Sequence, residues 1–135
     1  MHRFRLLAAL AVLALALACA GTAWAHEPMT SNGVTVTLHV DPDDAPVAGR
    51  PATVLFEEVR VPKGTAFAWR TCACTLAVTA ADGTPVRKGA LATRAAQVVF
   101  PAPGAYEIAL AGRVRRGTAW KAFRVAWAIR ADAAQ

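Results

Sequence analysis

Between residues 34 and 131 the chain alternates apolar and polar side chains in short runs, and Gly, Pro and Asp cut one run from the next. Val34, Val36, Leu38 and Val40 interleave with Thr35, Thr37 and His39. Near the other end Phe123, Val125, Trp127 and Ile129 share one parity, with Arg124 and Arg130 on the other. Period two is the signature of a half-buried strand, and no stretch of this region has helical periodicity with caps. Further strands are expected over Ala52 to Val61, over Phe67 to Thr79 with room for a bend near Arg70-Thr71, around Val86, over Gln97 to Phe100 and over Ala105 to Leu110. Adjacent Glu57 and Glu58 predict an edge or a bulge, since one of them must otherwise face the less polar side. Asp82-Gly83 is a hairpin signal. Asp41 to Pro51 is a turn-rich connection. Tyr106 follows a Pro-x-Pro-Gly turn, as the tyrosine corner of a sandwich does. Seven or so strands predict an all-β, antiparallel immunoglobulin-like β-sandwich over residues 33–135. Phe123, Val125, Trp127 and Ile129 are its expected core.

The N-terminus speaks to compartment. Met1 to Arg5 is a short positive start, Leu6 to Ala18 is unbroken Leu, Ala and Val, and Ala23-Trp24-Ala25 offers small residues at the positions a signal peptidase reads. Residues 1–25 read as a secretory signal peptide, with a mature chain beginning at His26 and a flexible lead-in over 26–32. The expected location is periplasmic or secreted. Two other readings stay open: a retained membrane anchor, because Leu6 to Ala25 carries no charge, and a lipid-bearing Cys19, for which Ala16-Leu17-Ala18 is a poor lipobox. The formal net charge is +6, and cleavage removes Arg3 and Arg5 to leave +4. The densest basic cluster, Arg113-Val-Arg115-Arg116-Gly117, reads as a solvated hairpin loop or as a contact for anionic lipid or an acidic partner. Nucleic acid is not expected, since the chain is read as exported and carries no recognised nucleic-acid fold motif.

Cleavage would also delete Cys19, leaving Cys72 and Cys74. In a strand they would share a face with Cα atoms about 6.5–7 Å apart, at or beyond the limit for a disulfide. Three readings follow: two small core residues, a redox disulfide set in a bulge or turn, or a clamp for a soft metal, since thiolates suit Cu(I) and Zn. His26, Met29 and His39 are the other candidate ligands. A mature His26 would add its α-amine to its imidazole as a Cu(II) chelate. His39, on the polar face of its strand, is also an ordinary surface residue. Asp41, Asp43 and Asp44 lack the glycine and ligand pattern of a calcium loop. Trp69, Trp120 and Trp127 are expected in packing, with an aromatic ligand platform as the alternative. Glu57 and Glu58, as strand neighbours, face opposite ways and are no catalytic pair. No nucleophile or zinc-protease motif is present, and no enzyme is expected.

Pro103-Gly-Ala-Tyr106-Glu-Ile-Ala-Leu, followed by the last alternating strand, resembles the closing half of small exported YtkA-like domains, and the Pro-Val-Ala-Gly turn before residue 50 also suits them. That resemblance implies an immunoglobulin-like sandwich and a setting near copper and cytochrome-oxidase functions. The Met- and His-rich stretch of those domains is absent, and Phe67-Ala-Trp-Arg-Thr-Cys-Ala-Cys stands in its place. A second, partial likeness is to exported copper-resistance sandwiches whose mature chain begins with His, here His26. The expected function is thus an exported module binding Cu(I) through Cys72 and Cys74, with His26 or Met29 as third ligand. The alternative is a non-metal interaction or structural module that docks on an envelope protein partner, with Cys72 and Cys74 buried or disulfide-bonded.

Overall fold

The computed structural model describes residues 26–135, so the expected leader and Cys19 lie outside the described residues. Nine strands follow in order: β1 (Met29–Ser31), β2 (Val34–Asp41), β3 (Pro51–Arg60), β4 (Thr65–Ala66), β5 (Thr75–Ala80), β6 (Pro85–Ala90), β7 (Ala95–Val99), β8 (Gly104–Arg116) and β9 (Ala119–Ala131). One sheet runs β1-β2-β3-β7. In the other, β8 is central: β9 pairs along its whole length on one edge, while β5, continued to β6, and the short β4 share the opposite edge. All strand pairs are antiparallel, and the two sheets pack into a β-sandwich. Among the described residues no helix is long and apolar enough to cross a membrane.

The alternation dictates the layers. Val34, Val36, Leu38 and Val40 turn inward from β2, and Phe123, Val125, Trp127 and Ile129 from β9, all buried, with Arg124 and Arg130 exposed. Between them pack Val54, Phe56, Leu76, Val78, Ile108 and Leu110. Fully burying such a side chain contributes about 1.5–3 kcal/mol, so this interior stabilises the fold far more than any surface pair. The expected bulge falls at Glu57: Thr37 pairs Glu58 and Leu38 pairs Phe56, which leaves Glu57 unmatched and both glutamates outside. Tyr106 makes the expected corner, its hydroxyl donating to the Ala102 carbonyl at 2.6 Å and accepting from the Ala102 amide at 3.2 Å. Asp82-Gly83 turns β5 into β6. The Asp82 carboxylate accepts the Thr84 amide at 2.9 Å, and that bond holds its carboxyl below the usual range.

Three expectations are corrected. Residues 67–74 are not strand; β5 begins only at Thr75, and the run before it is turns and bends. The basic cluster at Arg113–Arg116 is not a loop. It is the end of β8, which pairs with β9 as far as Arg116↔Ala119 and reverses over Gly117 and Thr118 alone. The sandwich also starts before residue 33, because Met29–Ser31 pairs with β2. The Asn32-Gly33 turn between them has both residues in the left-handed region (φ 48° and 80°), where Asn and Gly are the residues that fit. β1 also bridges the two sheets, with Ser31 Oγ accepting the Arg124 amide and Asn32 Nδ2 donating to the Ala122 carbonyl.

Candidate functional site

Two places gather the chemistry expected from the sequence, and they are separate. The first is the cysteine pair. Cys72 and Cys74 are joined as a disulfide with Cα atoms 5.1 Å apart. They do not share a strand face: Ala73 between them has φ 47°, and this left-handed residue folds the pair into a tight turn. Backbone bonds hold the turn at each side, Cys72 N–H to the Ala68 carbonyl (3.0 Å), Arg113 N–H to the Cys72 carbonyl (2.8 Å) and Leu91 N–H to the Cys74 carbonyl (2.8 Å). Both cysteines are buried in the hydrophobic core. Gly112 of β8 lies directly beneath them, since a β-carbon there would sit 2.6 Å from Cys74 Sγ.

The second place is built by the β1–β2 hairpin and the β2–β3 connection. The hairpin register pairs Met29 with Val36 and Ser31 with Val34. Continued outward, that register sets His26 opposite His39. The two imidazoles stack with centroids 4.8 Å apart, and His26 Nε2 lies 3.2 Å from His39 Nδ1. Asp44 closes the group. Its Oδ1 is 2.9 Å from His39 Nδ1 and its Oδ2 is 2.5 Å from His26 Nε2. Asp43 and Asp44 both take left-handed backbone (φ 52° and 55°), which Asp tolerates, and the Asp44 amide donates to the Val40 carbonyl at 2.7 Å. Asp44 Oδ1 also accepts the Val40 amide at 2.7 Å, so its carboxylate is fixed at the strand end. Glu57, thrown outward by the bulge, places Oε2 3.8 Å from His26 Nδ1. The segment before β1 is tied to the core, because Trp127 Nε1 donates to the Glu27 carbonyl at 2.8 Å.

One ligand atom each from His26, His39 and Asp44 lies within 4.8 Å of the others, and no cysteine joins such a group among the described residues. Two ligands bound tetrahedrally at about 2.0–2.1 Å stand about 3.3–3.4 Å apart; the imidazole spacing is close to that, while Asp44 sits at hydrogen-bonding distance from both rings and has to draw back for an ion to enter. Side-chain exposures of 54% for His26, 22% for His39 and 18% for Asp44 make this a surface site, open on one side.

Of the expected ligands, the structure brings His26 to His39, keeps Cys72 and Cys74 with each other, and packs Met29 partly buried against the core. Asp44 as a partner of the histidines was not foreseen from the sequence. The meeting of the two histidines did have a signal, in Asn32-Gly33: a two-residue turn at that dipeptide fixes the register that sets residue 26 against residue 39. Compared with protein-family models, with curated proteins and with solved structures, the chain matches none.

Proposed function

We propose that this chain is an exported, non-enzymatic metal-binding module that holds one borderline divalent ion, Cu(II) foremost, on His26, His39 and Asp44. The convergence of two imidazoles and a carboxylate on one surface point carries the reading. Imidazole suits Cu, Zn, Ni and Fe, and Cu(II) binds most tightly among divalent ions to a given nitrogen and oxygen site. The cysteines offer Cu(I) no thiolate while bonded to each other; a Cu(I) site on Cys72 and Cys74 belongs to a reduced form. An ion exposed on one side exchanges readily, which supports handling or delivery over a structural role. Export rests on the leader-like residues 1–25, and a membrane tie arises only if that segment is retained or Cys19 is lipidated.

Titration calorimetry and electron paramagnetic resonance with Cu(II) test this on the chain begun at His26. One ion per chain with nitrogen couplings is expected. His39→Ala should weaken binding by at least about tenfold, the cost that even outer-shell changes carry. Asp44→Asn, which keeps an acceptor for the Val40 amide, should also weaken it, while Cys72→Ser/Cys74→Ser should not. Binding should fall as pH falls, because protons compete for the imidazoles. Equal tight binding by wild type and His39→Ala would move the ion to the His26 amine and imidazole alone; no specific binding by wild type would leave the second reading, a disulfide-stapled module docking on an envelope protein; loss only in the cysteine variant under reductant would return the ion to the thiolates.

A further inference from the structure

The two ends of the sandwich carry opposite charge. At one end meet the β2–β3 connection, the β5–β6 turn and the end of β9, joined by Ala48 N–H to the Asp132 carbonyl and Ala81 N–H to the Ala105 carbonyl. That end holds Asp41, Asp43, Asp44, Asp82 and Asp132 against Arg50, which lies beside Asp132, and Arg130, so acids outnumber cations there. The opposite end is the tip of the β8–β9 hairpin, with the β3–β4 connection and the Asn32-Gly33 turn beside it. Lys63, Arg115, Arg116 and Lys121 lie there, and residues 32–33, 61–65 and 114–122 contain no acid. Among the described residues no ion pair involves Lys63, Arg115, Arg116 or Lys121; Arg60–Glu58 borders this end, and the others are Arg124–Glu107 and the group around His26, His39 and Asp44.

The cations surround the tip. Arg113 and Arg115 belong to the outward parity of β8. Arg116 and Lys121 belong to the inward parity and line a shallow groove of about 370 Å³ with Asn32, Thr65 and Pro62. Trp120 stands among them, 42% exposed, with the Arg113 guanidinium 4.2 Å above its ring. A protein partner meeting one face of the hairpin would leave the other face's cations unmet. A plane of anions meets all of them, and an exposed indole flanked by guanidinium and ammonium groups is the side-chain set that settles at headgroup depth.

We infer that the β8–β9 hairpin tip is a docking surface for anionic phospholipid headgroups. The inference is independent of the metal reading. The chain begun at His26 contains both sheets and the whole core, and it is the material for the test. Sedimentation with vesicles of phosphatidylcholine containing about one-third phosphatidylglycerol should carry the protein down, and pure phosphatidylcholine should not. Binding should be lost at about 0.5 M salt, where the screening length is only several Å. Arg115→Glu/Arg116→Glu/Lys121→Glu, all exposed positions, should reduce binding roughly a hundredfold or more while leaving circular dichroism unchanged. Trp120→Ala should weaken binding several-fold and abolish fluorescence quenching by brominated lipid. Equal binding to neutral vesicles, unchanged binding by the triple variant, or capture by polyglutamate without capture by anionic vesicles would each overturn the proposal, the last in favour of an acidic protein.

Discussion

The contact between Gly112 and the cysteine turn makes the sharpest demand on a single residue. A β-carbon at Gly112 would meet Cys74 Sγ at 2.6 Å, Phe123 Cε1 at 3.1 Å and the Cys72 carbonyl oxygen at 3.2 Å. The last is backbone held by the Arg113 amide and has little room to yield. Gly112→Ala should therefore cost about 1–3 kcal/mol in urea denaturation, as overpacking does. Cys72→Ala/Cys74→Ala should stay folded, because a disulfide closing a three-residue loop removes only about 1.5 kcal/mol of unfolded-state entropy. In that background the Gly112→Ala penalty should shrink, a coupling that a double-mutant cycle reads directly. Additive penalties would mean that the sulfur is not what the β-carbon meets. The place of Cys72 and Cys74 in the chain was legible in the sequence, but their geometry was not. It hinges on Ala73 taking a left-handed backbone, which alanine rarely does and no side-chain pattern announces.

At the scale of the element, the β1–β2 hairpin decides whether His26 meets His39 and Asp44. Gly33 has φ +80° and its β-carbon would lie 3.0 Å from Pro62 Cγ, so Gly33→Ala is opposed by backbone and neighbour together. It should cost about 1–2 kcal/mol. If His26 reaches His39 through this hairpin, Cu(II) affinity should drop as well, although Gly33 is no ligand. Parallel denaturation and titration check both, and undiminished affinity in the destabilised variant would show that His26 docks without β1. Strands with one buried face were readable from alternation: β2 and β9 fall where Val34 to Val40 and Phe123 to Ile129 place them. The end of β8 was not, because Arg113, Arg115 and Arg116 look like loop when read for charge. Only Val114, buried between them, keeps the period. His26 and His39 were each visible as ligand types. Their meeting is a property of the turn, and Asp44 joins them through a backbone conformation that Asp-Pro-Asp-Asp permits without specifying.

Over the whole molecule, two local surfaces become the two ends of one object. β8 has 13 residues, and at about 3.3 Å per residue it is roughly 43 Å long. The aspartate end, with the His26–His39–Asp44 cluster near it, and the hairpin tip are thus separated by several screening lengths at physiological salt. Ions at one end and lipids at the other should bind without influencing each other: Cu(II) affinity is expected to be the same in free solution and on anionic vesicles. The separation has a consequence for solutions of the protein by itself. A body negative at one pole and positive at the other attracts its own copies head to tail, and that contact is heterologous, so it does not close on itself. Light scattering at low ionic strength should report net attraction between molecules despite their shared positive charge, and the attraction should vanish near 0.3 M salt. Chains of copies that lengthen with concentration and dissolve with salt would be the visible form of that polarity.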